Sequence, residues 1–167
     1  MKRTLPFLIL IFACVGIFSA CQKERINPYD PAAQAAADDA LIKEFIAKDS
    51  TVKNPVRTGS GLYYVKRTAG SGPQVKAGDK VIVHYIGKFL NGQIFESSYA
   101  TNSPIEVSEV GKGEVIKGWD EGLQLMQEGE SARFYIPSGL AYGPISTGNI
   151  PSNTSLMFEI KVLKVNP

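Results

Sequence analysis

The chain is poor in the side chains that most enzymes use to break bonds. Its 167 residues include two cysteines, Cys14 and Cys21, both near the start, and a single histidine, His84. No His or Cys cluster stands at ligand spacing, so no metal centre is expected. No phosphate-cradling glycine loop opens a helix, which removes the nucleotide-binding motifs, and no cofactor is called for. Charge of one sign is lacking as well: 18 Lys and Arg face 16 Asp and Glu, without a basic patch. Nucleic acid is therefore not expected as a partner. The apolar run from Leu5 to Phe18 has fourteen residues, one of them Pro6. A membrane-spanning helix takes roughly 20.

That short run has a different reading. Lys2 and Arg3 precede it and Ser19-Ala20-Cys21 come directly after, the layout of a secretory signal. Phe18 is too bulky for the small-x-small pattern of ordinary signal cleavage. Phe18-Ser19-Ala20-Cys21 instead resembles a bacterial lipobox, with Phe where Leu is usual, in which the cysteine is lipidated and becomes the new N-terminus. Cys14 competes for this role but would leave an apolar core of only Leu5 to Ala13, so Cys21 is preferred. Losing Lys2 and Arg3 with the signal leaves sixteen basic residues against sixteen acidic ones. No free thiol would then remain for a disulfide, so stability must come from packing. Lipid chains, at about 0.8 kcal/mol per buried methylene, would hold the protein on a membrane of the bacterial cell envelope. The outer membrane, on its periplasmic or surface face, is the expected site; Gln22-Lys23-Glu24 is similar to the start of a surface-export tag.

Composition divides the chain into four segments. Residues 1–20 are the lipoprotein signal peptide, and 21–37, polar and Ala-rich with Pro28 and Pro31, read as a tether. Residues 38–57 hold an N-terminal helix and linker. Asp38 to Lys48 is the predicted helix, with Asp38 and Asp39 in its first turn and Leu41, Ile42, Phe45 and Ile46 forming an apolar stripe. That stripe either docks on the next domain or serves a dimer or a client. Thr58-Gly59-Ser60-Gly61 marks the boundary of a domain over 58–167.

In that domain the pattern is β. Strands are expected at Leu62–Val65, at Lys80–Leu90 with Val81, Val83, Tyr85 and Gly87 on one side, and at Gln93–Glu96 across an Asn91-Gly92 hairpin. Ile105–Ser108, Ala132–Ile136 and Ser155–Val165 complete the set. Trp119, Leu123 and Met126 fall at i, i+4 and i+7, and Gly129 closes that segment, giving one short helix. Aromatic and apolar islands recur through this region with no nucleophile beside them, which points to a site that works by enclosing an apolar group.

Taken in order, Val83-His84-Tyr85-Ile86-Gly87, Gly92-Gln93-Ile94-Phe95-Glu96-Ser97-Ser98, Glu114-Val115-Ile116-Lys117-Gly118-Trp119, Ala141-Tyr142-Gly143 and Ile150-Pro151 to Phe158-Glu159 resemble the FKBP-type peptidyl-prolyl cis–trans isomerases. The resemblance runs from about Gly61 to Val165. It implies an α+β fold: a strongly curved antiparallel β-sheet, or half-barrel, wrapped around one short helix and here preceded by an N-terminal helix. It also implies a prolyl pocket. Trp119 matches the indole floor, and Tyr85, Phe95, Val115, Ile116 and Phe158 match the walls. The Ile116 N–H and the Tyr142 hydroxyl match the donors to substrate carbonyls, and Ile150 lies in a flap.

Several positions depart from the family pattern. Glu96 stands where Asp is usual, and Thr101 where an Arg commonly partners that acid. Ile105 replaces an aromatic wall, and the loop from Pro144 to Ile150 looks about one residue shorter, with Asn149 at an apolar position. Altered activity on proline-containing polypeptides and weaker binding of macrolide inhibitors such as rapamycin are the expected consequences. His84 reads as a structural side chain. Three functions are compatible with these residues: an envelope-anchored isomerase assisting exported proteins, a proline-binding module without turnover, and a chaperone or assembly lipoprotein that works through the Asp38–Lys48 helix.

Overall fold

The computed structural model describes residues 29–166. Cys21, the signal segment and the Gln22-Lys23-Glu24 tag lie outside the described residues. The elements are α1 (Pro31–Lys48), β1 (Val56–Arg57), β2 (Tyr63–Thr68), β3 (Val81–Phe89), β4 (Ile94–Ser97), β5 (Ile105–Val107), α2 (Lys117–Leu123), β6 (Ser131–Ile136) and β7 (Leu156–Val165), with a 3-10 turn at Ser138–Leu140. The strands form one antiparallel sheet in the order β1-β2-β6-β7-β3-β4, and β5 pairs with β3 on the edge that it shares with β4.

Strand β3 alternates as its sequence requires. Val81, Val83, Tyr85 and Gly87 are buried on the inner face, and the residues between them are half-buried. At Asn91-Gly92 the chain reverses tightly: Gly92 N–H donates to Phe89 O (2.9 Å) and Phe89 N–H to Gln93 O (2.9 Å). On the inner face α2 supplies Trp119 and Leu123, with Met126 just beyond, to a core shared with Val81, Phe134, Ile136, Leu156 and Ile160. Two glycines of α2 allow this approach. A Cβ on Gly118 would lie 2.5 Å from Ile136, and one on Gly122 would lie 2.4 Å from Phe134.

The outer face of the same strands is also buried, under α1. Tyr63, Val65, Tyr135 and Met157 project outward and pack against Ile42, with Phe45 and Ile46 alongside. This explains why β2, β6 and β7 each contain consecutive buried residues where a one-sided sheet would alternate. Ile42 is fully buried, a contribution of about 1.5–3 kcal/mol. The predicted stripe therefore docks on the domain, except that Leu41 remains 50% exposed.

The helix begins at Pro31 rather than Asp38, so residues 31–37 of the expected tether are helical. Asp30 is the N-cap, its carboxylate accepting from the N–H groups of Ala32 and Ala33, and Pro31 starts the first turn without needing a donor. Asp38 and Asp39 are consequently mid-helix and bind elsewhere. Asp39 accepts from Arg57 Nε (2.7 Å) and the Tyr63 hydroxyl (2.8 Å), and pairs with Lys43 (2.7 Å). The strand β1, only two residues long and directly after Pro55, has no counterpart among the predicted strands.

Lys43, then Arg57 and Tyr63, hold the Asp39 carboxyl well below the usual carboxylate range. A group depressed by folding stabilises the folded form above its unfolded value, near 4 for Asp, and loses that contribution as pH falls below it. Asp39→Asn should thus lower the stability read by urea unfolding at pH 7, by about 1 kcal/mol or less since its partners Lys43 and Arg57 are exposed. The variant should also show a smaller further drop than the unmodified chain when both are remeasured at pH 3.

Candidate functional site

A cleft of about 420 Å³ opens between α2, the inner face of β3 and β7, and the loops that flank them. Its lining is Tyr85, Glu96, Ile105, Glu114, Val115, Ile116, Trp119, Tyr142 and Phe158. Seven of the nine site residues expected from sequence therefore meet in one cavity. The other two, Phe95 and Ile150, line an adjoining pocket of about 250 Å³ that shares Glu96 and Tyr142 with the first.

Trp119 sits in the first turn of α2, where its N–H donates back to Ile116 O (2.8 Å). Its ring meets Tyr85 edge-on (5.1 Å, 81°) and Phe158 edge-on (5.3 Å, 90°). Phe158 in turn meets Phe95 edge-on (5.6 Å, 87°). Edge-to-face pairs of this kind add about 0.5–1.5 kcal/mol each beyond the area they bury. The indole is 4% exposed, and its Nε1–H has no hydrogen-bond partner among the described residues. A donor left buried and unpaired is costly in a structural core.

Two of the walls are held by specific hydrogen bonds. The Ser98 hydroxyl accepts from Tyr85 N–H (2.8 Å) and lies 2.9 Å from His84 Nδ1, and the His84 ring stacks on Tyr99 (4.3 Å, 20°). His84 is thus a structural side chain. Ser98 ends the Gly92–Ser98 motif, and its role is invisible in sequence because a hydroxyl that bonds the strand it crosses leaves no pattern there. The loop carrying Val115 and Ile116 is tied at both ends. Asp120 accepts from the N–H groups of Gly111 (2.9 Å) and Gly113 (2.7 Å), and Glu114 accepts from Ser108 N–H (2.7 Å). Asp120 therefore clamps a loop besides sitting in the first turn of its helix.

Ile116 is the N-cap of α2, and its own N–H has no acceptor among the described residues. The Tyr142 hydroxyl likewise engages none. Two donors thus border a cavity whose lining is mainly aromatic and aliphatic, with Glu96 and Glu114 beside them. Burial raises the pKa of the Tyr142 phenol, and the nearby Glu96 charge adds to the shift. Burial first, then Glu96, raises that of Tyr85. Both phenols keep their protons well into the alkaline range. Glu96 forms no ion pair among the described residues, and Thr101 is exposed. The flap is pinched to a tight turn, with Thr147 and Ile150 exchanging two backbone hydrogen bonds of 2.9 Å each.

Residues 72–163 match the family model described as FKBP-type peptidyl-prolyl cis-trans isomerase. The chain belongs to that family. Among its FKBP-type relatives is a probable isomerase from Haemophilus influenzae, 42% identical over 137 residues, covering 81% of this chain and 54% of that protein. Another, named FkpA, is from Neisseria meningitidis serogroup B and is 40% identical over 81% of this chain and 48% of its own length. The crystal structure of FkpA from Escherichia coli superposes with a TM-score of 0.68 at 34% identity, covering 81% of this chain and 62% of that one. A Pseudomonas syringae isomerase structure does so at 0.65 and 30% identity, covering 83% of this chain and 98% of that one. The chain thus spans about half the length of these sequence relatives, and α1 precedes the segment that defines the FKBP family.

Gly87 lies beneath the wall of the pocket. A Cβ there would stand 2.6 Å from Phe95 and 3.0 Å from Phe158. Gly87→Ala should displace both rings, cost about 1–3 kcal/mol in urea unfolding, and shift the emission of Trp119. An unchanged spectrum and midpoint would mean that the rings have room to spare.

Proposed function

We propose that the protein is a peptidyl-prolyl cis–trans isomerase that accelerates folding of polypeptides in the bacterial cell envelope. The observation that carries this reading is the single cavity floored by Trp119, walled by Tyr85, Val115, Ile116 and Phe158, and bordered by two unengaged donors. Phe95 and Ile150 close its margin through the adjoining pocket.

Rotation about a peptide C–N bond costs about 18–20 kcal/mol because the bond has partial double-bond character. Twisting removes that conjugation and makes the amide less polar than its planar form. A dry aromatic enclosure therefore favours the twisted form relative to water, which is catalysis by differential binding. A 10⁵-fold acceleration needs about 7 kcal/mol. Enclosure of the proline ring, the Ile116 N–H and Tyr142 hydroxyl on flanking carbonyls, and fixed orientation together have that capacity. No acid, base or cofactor takes part.

The unpaired Glu96 and exposed Thr101 favour a modified rate and weaker binding of rapamycin-type macrolides over loss of the pocket. The Phe18-Ser19-Ala20-Cys21 pattern supports lipid attachment at Cys21, holding the domain at the outer membrane on its periplasmic or surface face. A dimer through the Asp38–Lys48 helix would have to use its outward side, which carries Leu41, because Ile42, Phe45 and Ile46 face the sheet.

The purified full chain should isomerise a short proline peptide, with kcat/KM flat from about pH 6 to 9 because the shifted phenols stay protonated. Tyr142→Phe should lower kcat/KM about threefold to tenfold, the worth of one hydrogen bond. Trp119→Ala should remove most turnover. Background activity in the unmodified chain, with proline peptide still quenching Trp119, would leave a proline-binding module in its place. For the anchor, Cys21→Ala should move the protein from the membrane pellet to the soluble fraction; a protein that stays in the pellet is held by other means.

A further inference from the structure

We infer that Asp38, on the helix outside the family-defining segment, is the positioning residue for Tyr142. This inference rests on the prolyl pocket proposed above and concerns how that pocket is held in shape.

Asp38 is 2% exposed and lies on the face of α1 turned to the domain. A carboxylate in such a place must have its oxygens satisfied. One oxygen accepts from Gln34 Nε2 at 2.9 Å. The other accepts both the backbone N–H of Ser138 (2.8 Å) and its hydroxyl (2.6 Å), across a hundred residues of sequence. Ser138 is fully buried and opens the 3-10 turn after β6. Its carbonyl then accepts from Ala141 N–H (2.9 Å) and from Gly143 N–H (2.8 Å). Tyr142 therefore lies between two residues bonded to one oxygen, and the peptide units of that residue are fixed by Asp38.

The path is short and continuous: carboxylate, Ser138, the two amides, and the Tyr142 backbone between them. Gly143 O is held as well, by Asn153 N–H at 2.7 Å, so this turn is tied to the segment leading into β7. Removing Asp38 would leave a buried N–H and a buried hydroxyl with no acceptor. The cheapest relief is for the turn to swing toward water, which carries Tyr142 with it. The contact of Tyr142 with a substrate carbonyl depends on direction, so a small displacement is enough to weaken it. The N-terminal helix thus contributes to the cleft without touching it.

The test uses the full chain and two readouts. Amide exchange at Ala141 and Gly143 needs no turnover. It should accelerate in Asp38→Ala and stay near the unmodified rate in Asp38→Asn, which keeps one acceptor oxygen for Ser138. Asp39→Asn is the control, since it loosens the same helix without touching Ser138, and it should leave both amides protected. For turnover, Asp38→Ala should lose about threefold to tenfold in kcat/KM, no more than Tyr142→Phe and less than the roughly hundredfold that a 1 Å misplacement can cost. It should lose almost nothing further when placed in Tyr142→Phe, because the two changes remove the same contact. Additive losses in the double variant, unchanged exchange at Ala141 and Gly143, or an Asn variant no better than Ala would each overturn the proposal. Should the unmodified chain lack turnover while the exchange pattern holds, the isomerase reading falls and the coupling of Asp38 to the Tyr142 turn stands.

Discussion

The cleft depends on one indole being held among perpendicular rings. Trp119 meets Tyr85 and Phe158 at nearly right angles, and the three rings line the cavity together. A two-turn helix can set a tryptophan in that position only if its own backbone lies close to the sheet. Gly118 and Gly122 permit this against Ile136 and Phe134. Phe158 and Tyr85 come from β7 and β3, which pair along nearly their whole lengths, so one hydrogen-bonded ladder carries both rings. Rigidity of this kind suits a site that works by shape and by a few directed donors.

A second layer supports the first from behind. Strands β2, β6 and β7 are buried on both faces where α1 crosses them, so the helix stiffens the strands from which Phe158 projects inward. Contacts at its edges are polar and directional. Arg133 reaches Asp49 at 2.7 Å and Glu159 at 3.0 Å, joining the end of α1 to β6 and β7. Asp38 holds the turn before Tyr142. The N-terminal extension is accordingly part of the folded domain from Pro31 onward.

Much of this was legible in the residues. The period-two pattern of Lys80–Leu90 located β3 and its inward side, Asn91-Gly92 located the hairpin, and the spacing of Trp119 and Leu123 located α2, although the helix ends at Leu123 and Met126 is buried just past it. These signals are local, and the structure keeps them because burial acts on the same faces. The start of α1 was not legible. Its first turns are alanine, which helices favour but which shows no apolar period, and the prolines beside them resembled a broken tether. Asp30 and Pro31 are a cap and a first turn, a role they acquire only because the residues after them are helical. Leu41 fitted the apolar stripe and lies outside it, since the sheet accepts only the arc centred on Ile42.

The ordered motifs determined the family, the strand pattern and the identity of the pocket residues, since each depends on chemistry that neighbours along the chain carry. Which of those residues share one cavity, which carboxylate binds which loop, and which donors stay unengaged arose from contacts between segments far apart in sequence. Asp38 and Ser138 show the difference. Each is an ordinary polar residue in its own stretch of chain, and the bond between them exists because α1 and β6 bury the same patch of surface, leaving a carboxylate and a serine with no water to turn to.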